Sequence, residues 1–252
     1  MNLLRVENLS VQFGGIKAVS DVSFEVAAGE VFTIIGPNGA GKTTIFNLIG
    51  RLYTPTAGRI LFGDVDLTRR AAHEIAGLGI ARTFQNIELF EHATVLDNLL
   101  IGRHCHRRTG LLADLLFLPR VQRAERAERE AVERVIDLLD LAHYRDARVA
   151  GLPYGVRKVV ELARALAMEP KLLLLDEPSS GLNTEETDDM AWWIRDIRDE
   201  LRITVLMVEH DMNLVARVSD RVLALNYGQV LVSGAPADVQ RHPDVVEAYL
   251  GG

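Results

Sequence analysis

Gly36-Pro37-Asn38-Gly39-Ala40-Gly41-Lys42-Thr43 sets two glycines, Gly36 and Gly41, on either side of four spacer residues and ends in Lys and Thr. This is the phosphate-binding P-loop pattern, and glycines at those points let backbone N–H groups turn inward around phosphate oxygens. The helix that should open at Thr43–Thr44 adds the partial positive charge of its N-terminus. Lys42 can reach β- and γ-phosphates, and the Thr43 hydroxyl can ligate Mg²⁺. A second cluster, Lys171-Leu-Leu-Leu-Leu-Asp176-Glu177-Pro178, is a buried-strand run that ends in two adjacent carboxylates. Asp176 can hold a Mg²⁺ shell through water, and Glu177 can orient or deprotonate an attacking water. Phosphoryl transfer depends mainly on positioning and charge neutralisation, which this pairing supplies.

Both clusters need strands to place them. Val31–Ile35 is a nearly continuous apolar run of strand length, as a buried strand requires. Residues 18–26 alternate, with Val19, Val22, Phe24 and Val26 separated by polar residues. Further strands are expected at residues 3–9, at 59–62 and from Ile80. A helix is expected from about Lys42 to Arg51. From about residue 90 to 165 the signal turns helical, with Val121, Ala124, Ala127, Ala131, Val135 and Leu138 at helical spacing. Strand signals return at 172–175, 204–208 and 221–225. Asn183 with Glu186 reads as a helix start, and Asn226-Tyr227-Gly228 as a hairpin turn. The expected fold is an α/β P-loop NTPase core (RecA-like) with an antiparallel β subdomain and an inserted helical subdomain. The core takes residues 1–88 and 165–252, and the helical part takes 89–164.

Composition narrows the class. The 252 residues carry a formal charge of −7, so a broad nucleic-acid-binding surface is not expected. A lone cysteine, Cys105, excludes an intrachain disulfide and fits a reducing compartment. The N-terminal stretch has Arg5 and Glu7 and no signal-like apolar region. No stretch approaches the roughly 18 apolar residues that span a bilayer, so a membrane role should be peripheral.

Four more features fall in order along the chain: Gln85 in Arg82-Thr-Phe-Gln, a helix start at Leu152-Pro-Tyr-Gly-Val-Arg-Lys158, Ser179-Ser-Gly-Leu-Asn183, and Val208-Glu-His210-Asp211. With the P-loop and the acid pair, this order resembles the ATP-binding cassette family over nearly the whole chain. The resemblance implies that Gln85 reaches Mg²⁺ and the attacking water and that His210 contacts the γ-phosphate. It also implies that residues 152–158, with Tyr154 and Gly155, form a signature acting on the nucleotide of an opposite subunit. Phe13 resembles the aromatic that stacks on adenine; the alternative is a core or turn aromatic. RTFQNIELF (82–90), TVLDNLL (94–100), SGLN (180–183), EHDMNL (209–214) and PDVVEAYLG (243–251) further resemble the LivG type, the ATPase subunits of branched-chain amino-acid importers. That resemblance implies ATP and Mg²⁺ as ligands and a second ATPase subunit, either a paralogue or a second copy. It also implies two transmembrane permeases, a substrate-binding protein, no nucleic acid, and a peripheral place on the cytoplasmic face of the membrane. Closure of the ATPase pair would then pull on the permeases near residues 85–92. Export or lipid-transport ATPases, and soluble cassette ATPases, share the same catalytic residues and stay open as alternatives.

One departure stands out. The family signature normally has serine where this chain has Pro153, which lacks both hydroxyl and backbone N–H. The composite site it completes is expected to be weaker than its twin. Arg103-His104-Cys105-His106-Arg107-Arg108 reads as a solvated helix end, with a lipid-facing patch or a metal site as lesser readings. Residues 111–118 read as core of the helical part, and Trp192 and Trp193 as one core and one partly exposed side chain.

Overall fold

The alternation at Val19, Val22, Phe24 and Val26 becomes a strand that buries all four side chains. In the computed structural model, which describes residues 2–106 and 119–250, this strand is β2 (Ile16–Ala27). It pairs antiparallel with β1 (Asn2–Phe13) through a turn at Gly14 and Gly15, both at positive φ. β4 (Ala57–Phe62) and β5 (Val65–Asp66) complete a sheet of order β2-β1-β4-β5.

The second sheet has order β10-β9-β3-β8-β7-β6. Its parallel strands are β3 (Val31–Ile35), β6 (Ile80–Arg82), β7 (Leu172–Asp176), β8 (Thr204–Val208) and β9 (Arg221–Asn226). Every residue of β3, β7 and β8 is buried, which explains why these strands read as continuous rather than alternating runs. β10 (Gln229–Gly234) returns antiparallel through Tyr227 and Gly228, both at positive φ, as a tight hairpin turn requires. Between the sheets lies a core that includes Leu4, Val22, Phe32, Phe46, Ile60, Leu174 and Leu206.

The helices of this part are α1 (Lys42–Ile49), the short α2 (Ala72–Ile75), α6 (Thr184–Asp199), α7 (Met212–Val218), α8 (Pro236–Gln240) and α9 (Pro243–Leu250). α6 starts where Asn183 and Glu186 exchange side-chain bonds to each other's backbone N–H. Its buried stripe is Met190, Ala191, Ile194 and Ile197. The expectation of a core tryptophan here is corrected: Trp192 is 68% exposed and Trp193 only half-buried. Both follow the stripe residue Ala191 by one and two positions, which turns them away from the buried face.

The chain divides into two units, Met1–Gln85 with Lys171–Gly252, and Asn86–Pro170. The second unit holds α3 (Val95–Gly102), α4 (Pro119–Leu138) and α5 (Tyr154–Leu166). α3 and α5 pack so closely that a Cβ at Gly102 would meet the Arg164 carbonyl at 2.5 Å. Arg103 corrects another expectation. It is buried rather than solvated, pairs with Glu128 and Glu169, and donates to the Ala167 carbonyl at 2.9 Å. Its guanidinium satisfies a carbonyl just past the end of α5, a favourable place for a cation. Arg107, Arg108 and residues 111–118 lie outside the described residues.

Candidate active site

β3 runs straight into Gly36, whose φ of +151° suits glycine alone. A Cβ there would meet the Leu225 carbonyl oxygen at 2.3 Å. The Gly36 N–H donates to the Tyr249 hydroxyl at 2.8 Å, tying the loop to α9. Gly41, at φ +100°, opens α1 with no capping side chain. Ala40 is buried, Pro37 half-buried, and Asn38 and Gly39 are exposed. Thr43 is exposed and Thr44 half-buried, both in the first turn of α1. Lys42 is buried and donates from Nζ to the carbonyls of Gly36, at 2.6 Å, and Pro37, at 3.0 Å. Burial holds its ammonium pKa below the usual lysine value, while Glu177, Asp176 and Glu209 draw it back upward.

The acid pair closes β7. The Asp176 side chain is 1% exposed, and its Oδ2 accepts from Arg82 Nη2 at 2.8 Å. Its backbone N–H donates to Thr83 Oγ1 at 3.3 Å. Asp176 Oδ1 is buried with no hydrogen-bond partner among the described residues. Glu177 sits at φ +50°, uncommon for a residue with a Cβ, and its N–H donates to the Val208 carbonyl at 2.9 Å. That backbone bond joins the end of β7 to the end of β8 and aims the carboxylate between two loops. Gln85 Nε2 donates to Glu177 Oε2 at 3.2 Å. His210 Nδ1 lies 3.9 Å from the same oxygen. Gln85, Glu177 and His210 thus meet just beyond the carboxyl ends of β6, β7 and β8, where open α/β sheets bind ligands.

Three contributors have no separate role in the sequence reading. Glu209 is fully buried and accepts from Ser179 N–H at 3.0 Å and Ser179 Oγ at 2.5 Å. Its other oxygen accepts from the N–H groups of His210, at 2.7 Å, and Asp211, at 3.1 Å. One carboxylate therefore fixes the loop after the acid pair against the loop that carries His210. Arg82 and Tyr249 are the others, and both are tied to site residues by pairings between distant segments that no local pattern reveals.

Three expected residues sit on other elements. Phe13 is 44% exposed at the β1–β2 turn, with its ring edge-on to Tyr53 at 5.0 Å between centroids. Tyr154, half-exposed, and Gly155, buried, open α5 in the second unit. Pro153 stands at the cap position of that helix and gives no side-chain hydrogen bond.

A glycine loop between a buried parallel strand and a helix, with an acid pair closing β7 in the same sheet, defines a P-loop nucleotide hydrolase. Residues 19–180 match the family model described as ABC transporter. Residues 229–252 match a second model, described as branched-chain amino acid ATP-binding cassette transporter. The chain is 39% identical to the high-affinity branched-chain amino acid transport ATP-binding protein LivG of Escherichia coli (strain K12), covering 99% of this chain and 98% of that protein. It is 40% identical, at the same coverage, to the corresponding protein BraF of Pseudomonas aeruginosa. Among solved structures, a nucleotide-free ATP-binding cassette from an ABC transporter aligns over the full length of both chains, with TM-score 0.86 and 33% identity. The chain belongs to the ATP-binding cassette transporter family and is an ABC-type ATPase. Among the described residues no helix is long and apolar enough to cross a membrane.

Proposed function

We propose that this chain is the ATP-hydrolysing subunit that energises an importer of branched-chain amino acids or related small molecules. One observation carries the chemistry: Gln85 and His210 converge on one oxygen of Glu177, whose charge acts on the buried Lys42 of the glycine loop. The identity to LivG and BraF over nearly the whole chain supports the transport role. The backbone of Gly36–Gly41 and the first turn of α1, with Thr43 and Thr44, bind the ATP phosphates, and Lys42 neutralises the β- and γ-phosphates. Phe13 stacks on the adenine.

Thr43, Asp176 and Gln85 are the residues that would hold Mg²⁺. The donor set fits: Asp176 Oδ1 is a buried carboxylate oxygen with no other partner among the described residues, and hydroxyl, amide and carboxylate oxygens suit a hard cation. When bound, the ion supplies charge neutralisation at the phosphates. Glu177 takes a proton from the attacking water, whose oxygen bonds to the γ-phosphorus as the bond to the ADP oxygen breaks. His210 donates to the γ-phosphate from beside Glu177.

Tyr154 and Gly155 act on the nucleotide held by a second ATPase subunit, a paralogue or a second copy, in a closed pair. That pair works on two permease subunits, and through them a substrate-binding protein, from the cytoplasmic face of the membrane. The test is to tag Glu177→Gln, trap it with Mg-ATP in native membranes, and identify co-purifying proteins by mass spectrometry. Two polytopic permeases with a second cassette ATPase support the reading. Soluble partners without permeases overturn it.

A further inference from the structure

Arg82 contacts side chains on three segments around the site. Its guanidinium has little contact with solvent, with the side chain only 11% exposed. Nη2 donates to Asp176 Oδ2 at 2.8 Å, and Nη1 donates to Asn47 Oδ1 on α1 at 2.7 Å. The guanidinium carbon lies 5.6 Å from the centre of the Phe46 ring and 5.1 Å from that of Phe84. One side chain therefore bridges the helix that follows the glycine loop, the acidic end of β7, and the segment that leads to Gln85.

We propose that Arg82 is a positioning residue for the metal: it locks one oxygen of Asp176 and leaves the other, Oδ1, for the divalent cation of the nucleotide. The inference rests on the Mg-ATP reading above. A carboxylate with a free torsion can turn either oxygen toward a ligand or take both away. Arg82 removes that freedom because its own plane is fixed twice, by Asn47 and by the two aromatic rings. A partner that orients a metal-binding carboxylate typically changes metal affinity about 10- to 100-fold. The same bridge ties α1 to β7, the two elements that carry Thr43 and Asp176, the residues that would hold the cation. A lysine cannot make this bridge, since it has one nitrogen and no plane to stack.

The test uses the full chain with Arg82→Gln and Arg82→Lys, and Mn²⁺ as the probe. Mn²⁺ binding in the presence of a non-hydrolysable ATP analogue is read by electron paramagnetic resonance. Binding of the same analogue without metal is read by calorimetry, and thermal unfolding serves as the folding control. The expected result for Arg82→Gln is Mn²⁺ affinity weakened by about tenfold or more, with metal-free analogue affinity changed less than about twofold. Arg82→Lys, which keeps the charge and loses the bridge, should fall between the two.

Parallel loss of both affinities would show a general structural role and overturn the proposal. So would unchanged Mn²⁺ binding, or tighter binding, which would make Arg82 a competitor for Asp176. If the Arg82→Gln chain does not fold, Arg82→Lys alone decides by the same split. If the wild type itself shows no metal-dependent binding of the analogue, the Mg-ATP reading fails, and with it the ground for this inference. Metal-dependent binding at wild-type affinity in both variants overturns only the role of Arg82.

Discussion

Gln85 and Glu177, far apart in the chain, meet where the Gln85 amide donates to a Glu177 carboxylate oxygen at 3.2 Å. Glu177 reaches that point because its backbone takes φ +50° and is pinned to Val208. The bond gives the carboxylate an orientation before any water arrives, as general-base catalysis requires. Both residues belong to the same unit of the chain.

Glu177→Gln should keep ATP affinity within about twofold and lower turnover by about 10²- to 10⁴-fold, the usual contribution of a positioned general base. Equilibrium nucleotide binding and steady-state phosphate release, measured on the same preparation, check both halves. Hydrolysis near the wild-type rate would remove Glu177 as the base.

Lys42 gives a pH signature. Its pKa is lowered in the folded chain from the ordinary 10.5. Between the folded and unfolded values the unfolded chain binds more protons, so unfolding free energy should rise with pH across that window. Well below the folded value both states hold the proton, and the contribution is flat. Lys42→Met should lack the rise, and urea unfolding of both proteins across the alkaline range below the ordinary lysine value of 10.5 reads the difference. The same variant should weaken ATP binding at neutral pH by roughly 10- to 100-fold, the size of a charged hydrogen bond of about 1.5–3 kcal/mol.

Tyr249 holds the glycine loop from the far end of the chain. Its hydroxyl accepts from Gly36 N–H, and burial raises its pKa above the ordinary tyrosine value, so it stays protonated at neutral pH. Tyr249→Phe leaves that buried N–H without an acceptor, at a cost of about 1–3 kcal/mol. Faster hydrogen exchange at the Gly36 amide and weaker ATP binding are expected. An unchanged exchange rate would show that the loop holds its shape without α9.

Pro153 occupies the cap position of α5 without capping it. Pro153→Ser supplies a hydroxyl that can accept from the N–H of Gly155 or Val156, worth about 0.5–2 kcal/mol in helix stability. It also restores a donor to the signature. Faster ATP hydrolysis by the reconstituted transporter is expected. An unchanged rate would mean that Gly155 and the helix terminus already suffice.

Local patterns in the chain name the candidate residues for phosphate chemistry and the segments that surround them. Gly36–Thr43 and Asp176–Glu177 are contiguous, so their spacing alone states their chemistry. The buried strands read clearly because parallel strands covered on both faces are continuous apolar runs, as in 31–35, 172–175 and 204–208. The caps at Asn183 and the turn at Tyr227-Gly228 were legible because they depend on residues within a few positions of each other. How the candidate site is held follows from contacts between distant segments. The Arg82–Asp176, Glu209–Ser179 and Tyr249–Gly36 bonds join segments distant in sequence, and their existence depends on strand order. Arg103 shows the same limit from the other side: a basic run looks solvated until a helix end brings carbonyls and carboxylates to it. Local sequence encodes local geometry and residue type; the partner of a buried charge is set by which strands and helices the fold makes neighbours.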